Sequence, residues 1–68
     1  MHMLRSRIEE LINASGYKKA FIADKLGITY KQLRNYETGR SLIPFDKAYE
    51  LADLLGVGID ELYERKKE

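Results

Sequence analysis

From Thr29 to Asn35 the chain reads Thr-Tyr-Lys-Gln-Leu-Arg-Asn, six polar side chains around one leucine and no acid. These types can read the edges of base pairs. Lysine donates to guanine O6 and N7, asparagine pairs bidentately with adenine, and a tyrosine ring or threonine methyl can meet the methyl of thymine. Lys31 and Asn35 lie four residues apart, so on a helix they share a face about one turn apart. A merely solvated helix more often pairs Glu with Lys. Just outside this stretch stand Lys18 and Lys19 on one side and Thr38, Arg40 and Ser41 on the other, the kinds of group that contact phosphates. The formal net charge is only +1, but it is unevenly spread. Residues 1–40 carry eight Lys/Arg against four Asp/Glu, a balance of +4, and residues 41–68 carry four against seven, a balance of −3. One side of the molecule is therefore suited to a polyanion, although a solvated charge pattern would look similar.

Other chemistries find little support. There is no cysteine, and the single histidine, His2, lies in an N-terminal stretch, residues 1–3, that reads as a native start or an expression remnant. Zinc, disulfide and nucleophilic-cysteine chemistry are excluded, and no cofactor is expected. Asp24 and Glu37 are the acids nearest the polar stretch, with no His or Cys beside them and no phosphate loop, so an enzyme is not expected. A chain of 68 residues buries only about 60% of its unfolded surface, which favours binding by a surface over enclosure of a substrate. No apolar run approaches the roughly 18 residues of a membrane span.

The elements that must position these groups read as helices. Leu4, Ile8, Leu11 and Ile12 fall on one helical face, and Ser15-Gly16 stops that helix. A second helix is expected over 18–26, closed by Gly27. Thr29-Tyr30-Lys31-Gln32 is a capping box, so a third helix starts at Thr29 and runs to about Thr38, burying Leu33 and part of Tyr36. After a linker, Ser41-Leu42-Ile43, Pro44 suits the entry of a fourth helix over 45–55, with Phe45, Ala48, Ala52 and Leu55 on its buried face. Gly58 opens a short fifth helix through Leu62 or Tyr63, and 64–68 is a charged tail. Nothing alternates with period two over a strand's length. The expectation is an all-α, compact five-helix domain over residues 4–63.

Two short helices joined by so few residues cross steeply, which asks for a small residue at Ala23, a chain reversal at Gly27 and apolar Ile28 and Leu33 at the corner. Residues 18–38 thus form a helix-turn-helix pattern, whose second helix projects and has the width of the DNA major groove. A chemically silent αα-corner has the same outline, and the polar content of the projecting helix favours the DNA reading.

The chain also resembles the Cro and lambda-repressor-like, or Xre-type, helix-turn-helix domains from about Leu4 to Tyr63. The resemblance rests on Arg7-Ile8-x-x-Leu11, Gly16, Ile22-Ala23-x-x-Leu26-Gly27-Ile28-Thr29, Leu33, Tyr36-Glu37-x-Gly39-Arg40, Leu51-Ala52-x-x-Leu55-Gly56-Val57 and Asp60-Glu61-Leu62. It implies base contacts from Thr29, Tyr30, Lys31 and Asn35 and phosphate contacts from Lys19, Gln32, Thr38 and Arg40; Lys18, Arg34 and Ser41 join the expected backbone set by their position. Three positions depart from the family pattern. Lys18 and Lys19 stand where Thr or Ser and then Gln are usual. Ile12 stands where an arginine usually pairs with the glutamate, leaving Glu37 either to pair with Arg40 or to face solvent. Phe21 occupies a usually polar position.

The expected function is a sequence-specific DNA-binding transcription regulator, a repressor of bacterial or phage type. It would be cytoplasmic and nucleoid-associated, reading palindromic sites as a homodimer that is weak in solution or forms on the double-stranded DNA. The alternative is a protein-interaction module using Phe21, Leu42, Ile43 and Tyr63 as exposed contacts for another regulator, a toxin or RNA polymerase.

Overall fold

The first α-helix begins at Ile8 and not at Leu4, because the residues before it pair with the far end of the domain. In the computed structural model, which describes residues 4–65, strand β1 (Leu4–Ser6) lies antiparallel to β2 (Tyr63–Arg65). Leu4 faces Arg65, Arg5 faces Glu64 and Ser6 faces Tyr63 across the ladder. The Arg5 guanidinium donates to the Glu64 carboxylate at 2.9 Å. This hydrogen bond, and then the charge behind it, hold the Glu64 carboxyl below its ordinary range. The Arg7 amide continues the tie by donating to Leu62 O at 2.9 Å.

Four α-helices follow the first strand: α1 (Ile8–Ser15), α2 (Lys19–Leu26), α3 (Tyr30–Thr38) and α4 (Phe45–Leu55). The fifth helix of the sequence reading is a single 3-10 turn, Ile59–Leu62, which runs straight into β2. The all-α, five-helix expectation is therefore corrected to a mostly helical domain of four α-helices with a two-stranded sheet among the described residues. A helix through Leu4 would need that side chain in the core, yet Leu4 is exposed while Ile8 and Ile12 are fully buried. The expected tail at 64–68 is corrected in part, since Glu64 and Arg65 belong to β2. Residues 1–3, with His2, and 66–68 lie outside the described residues.

Ile8, Ile12, Ile22, Leu26, Leu33, Leu51 and Leu62 form the fully buried centre, drawing on every α-helix and the 3-10 turn. On α4 the buried face is Ala48, Leu51 and Ala52, whereas Phe45 is 72% exposed and sets its ring edge-on to Tyr49 at 5.0 Å. Its place on the core face is thus corrected: at the first position of the helix its ring clears the core and meets the next turn instead. Ile43 is also buried, and its amide donates to the Tyr63 hydroxyl at 3.0 Å. Burial removes Ile43 from the exposed apolar contacts, and Tyr63 is itself half-buried.

The corner that aims α3 forms as the sequence requires. Ala23 is buried, which lets the two helices approach, and the Gly27 and Ile28 amides donate to Asp24 O and Ala23 O at 3.1 and 3.0 Å. Gly27 reaches this turn with φ +69°, in the left-handed region that a Cβ penalises. The nearest atom to a Cβ there is Lys47 Nζ at 3.9 Å, so space is not the obstacle. Gly27→Ala is expected to lower stability by about 1 kcal/mol through backbone strain alone. In urea unfolding this appears as a lower midpoint with an unchanged slope, and a midpoint that does not move would contradict it.

Candidate nucleic-acid interface

Helix α3 divides its residues cleanly between core and surface. Leu33, Tyr36 and Glu37 are buried; Thr29, Tyr30, Lys31, Gln32 and Arg34 are exposed, and Asn35 is part-exposed. The capping box is present in both directions. Thr29 Oγ1 accepts from the Gln32 amide and Gln32 Oε1 accepts from the Thr29 amide, each at 3.0 Å. The reciprocal bonds hold both side chains at the helix start with the threonine hydroxyl proton and the glutamine NH2 still available as donors. At the other end, Thr38 Oγ1 and the Ser41 amide both donate to Asn35 O, at 3.3 and 3.2 Å. The Ser6 hydroxyl donates to Tyr36 O at 2.8 Å, so α3 is also tied to the sheet.

The expected phosphate-facing groups outside this helix come from two segments, the start of α2 and the chain at and after the end of α3. Lys18 is the exposed cap residue of α2 and Lys19 its first residue; Thr38, Arg40 and Ser41 follow one another at and after the end of α3, all exposed. Phe21 is exposed but not isolated. Its ring lies 5.1 Å from that of Tyr17 and beneath the Lys25 ammonium at 5.6 Å, contacts that partly explain an aromatic at this position.

The residue that the sequence leaves without a partner is the centre of the site. Glu37 neither faces solvent nor pairs with Arg40: its side chain is 0% exposed and sits between Lys19 Nζ at 3.3 Å and Arg34 Nη1 at 3.7 Å. Neither carboxylate oxygen accepts a hydrogen bond among the described residues, so charge pairing alone offsets the desolvation of this group. Glu9, from the first turn of α1, completes the cluster from outside, 3.3 Å from Lys19 and 3.7 Å from Arg34. Burial acts to lower the Lys19 pKa, but pairing with Glu37 and then Glu9 outweighs it and raises the pKa above the ordinary lysine value. Half of this cluster is legible in sequence: Arg34 precedes Glu37 by three residues, a helical ion-pair spacing. The Lys19 half is not, because it needs the corner already folded.

Among the described residues no group of His, Cys, Asp and Glu is placed to hold a metal. No helix is long and apolar enough to cross a membrane among those residues. What the geometry offers is a projecting helix whose exposed surface is cationic and polar because its one acid is turned inward.

Comparison with known families agrees with this geometry. A family model described as helix-turn-helix matches residues 8–62, spanning α1 through the 3-10 turn. No curated protein matches the chain.

The buried carboxylate makes a direct prediction. Lys19→Met keeps the aliphatic stem but leaves Glu37 with Arg34 alone, and the thermal midpoint should fall by roughly 5 to 10 °C. Adding Glu37→Met to that variant should recover most of the loss, since no buried charge then lacks its partner. A double variant as unstable as Lys19→Met would show that the pair is not what Lys19 contributes.

Proposed function

The chain belongs to the Cro/C1-type helix-turn-helix family of DNA-binding regulators, and from that membership we propose that it is a sequence-specific transcriptional repressor that reads palindromic DNA as a homodimer. The observation that carries the specific reading is the surface of α3, where every exposed side chain from Thr29 to Arg34 is neutral or basic. Thr29, Tyr30, Lys31 and Asn35 read base edges in the major groove. Lys18, Lys19, Gln32, Arg34, Thr38, Arg40 and Ser41 hold the backbone on either side.

One such helix addresses about half a turn of groove, too little to discriminate a site by itself. Two copies on half-sites about 34 Å apart supply the rest, by association that is weak in solution or forms on the DNA. The setting is the cytoplasm of a bacterial cell or phage-infected host, at the nucleoid. A second reading, a module for binding another protein, draws support from Leu42, Phe45, Tyr49 and Leu4, which remain exposed on the side formed by α4 and the sheet. The face of α3 favours DNA, because a protein-binding helix would carry apolar anchors where Lys31, Arg34 and Asn35 stand.

Selection of bound sequences from random duplexes, followed by substitution, tests the reading. Lys31→Ala or Asn35→Ala should cost the selected site roughly 1 to 3 kcal/mol. Non-specific affinity should be nearly unchanged for Asn35→Ala and moderately reduced for Lys31→Ala, because Lys31 also contributes to the field. A folded double variant that keeps its full preference for the selected site would place base reading elsewhere and move the protein-binding module to the front.

A further inference from the structure

Lys19 and Arg34 are not idle in the free protein. Both are held by two carboxylates of very different standing: Glu37, fully buried, and Glu9, whose side chain is 46% exposed. Glu37 cannot leave without unfolding its surroundings, and by its position it orients both cations. Glu9 caps the same two cations from the solvent side and can swing away by rotating its own bonds. The four groups together carry no net charge, so the cluster presents far less positive field to solvent than the count of basic residues suggests.

We infer that Glu9 is an internal competitor for the DNA backbone, occupying in the free protein the place on Lys19 and Arg34 that a phosphate oxygen takes in the complex. The inference rests on the DNA-binding reading above and deepens it. A carboxylate and a phosphate offer the same cations the same kind of anionic oxygen. For a phosphate to bind, the pairs to Glu9 must open while those to Glu37 persist. Any duplex that places phosphates on Lys19 and Arg34 has to displace Glu9 from both cations. Glu9 thereby lowers affinity for selected and random sequences alike and moderates DNA binding without touching DNA.

The salt dependence carries the signature. Each phosphate neutralised releases condensed counterions, giving a slope of about −0.9 in log K against log salt. A Glu9 carboxylate set free at the same moment recruits a cation and offsets part of that release. Removing its charge should therefore steepen the slope by up to about one and raise affinity for random-sequence duplex roughly three- to tenfold at low salt. Affinity for a selected site that uses the same two cations should rise by a similar factor, because the cost of displacing Glu9 enters both complexes.

The test is Glu9→Gln in the full chain, titrated with a random-sequence duplex and with a selected duplex at several salt concentrations. Glu10→Gln is the matched control. Glu10 is the next residue of the same helical turn and carries the same charge, but it pairs with Arg5 and Arg7 and stands outside the cluster. A steeper slope and tighter binding to both duplexes for Glu9→Gln alone support the inference. Equal effects from both variants would reduce it to net charge and overturn it, as would a Glu9→Gln slope equal to that of the unaltered chain when both proteins bind. Should the unaltered chain bind no duplex at all, the DNA reading falls first and takes this inference with it, an outcome distinct from the other two. Thermal unfolding of each variant shows whether the fold is intact, and Glu9→Ala, which removes the charge without the amide, should steepen the slope in the same way.

Discussion

A fully buried carboxylate paired by two cations is the constraint on which the recognition surface depends. Glu37 lies on α3, Lys19 opens α2, and Glu9 on α1 reaches the same lysine, so one cluster joins the three helices that frame the corner. An unpaired charge at such a site would be strongly unfavourable, and the pairing holds only when α2 and α3 meet at this angle and register. Gly27 permits the crossing and the aliphatic core drives it. The ion pairs add a geometric condition that apolar packing, tolerant of small shifts, does not impose.

This arrangement also accounts for the surface. Because the acid of α3 points inward, the helix shows Lys31, Gln32 and Asn35 outward with no acid on its exposed face, while Arg34 is shared with Glu37 and Glu9. Of the seven acids of the second half, Asp46, Glu50 and Asp53 belong to α4, Asp60 and Glu61 to the 3-10 turn and Glu64 to β2, while Glu68 lies outside the described residues. The charge imbalance between the halves of the chain is thus a division between structural elements, α1 to α3 on one hand and α4 onward on the other.

Local signals were the most legible part of the sequence. The capping box at Thr29, the reversal at Gly27 and the core positions Ile8, Ile12, Ile22, Leu26 and Leu33 follow from short-range rules, and the structure has each of them. Long-range features were hidden. β1 and β2 are three residues each, too short to show a period, and their ladder joins opposite ends of the domain, so periodicity alone puts Leu4 in the first turn of a helix and Glu64 in a tail. Phe45 fell on the apolar stripe of α4 by periodicity, but at the first position of a helix the stripe has no core to face. Glu37 was the most consequential case. Its partner across the corner is Lys19, a residue that sequence alone points toward a phosphate, and only the folded crossing shows that it pairs with a buried carboxylate.

If the corner held by Glu37 presents α3 and its flanks to DNA, the contact is visible in backbone amide chemical shifts followed as a selected duplex is added to the labelled protein. The largest changes should fall on 29–35, with 18–20 and 38–41 beside them, while Phe45, Tyr49 and Ile59 stay nearly still. Changes centred on Leu42, Phe45 and Tyr49, with 29–35 unmoved, would contradict it.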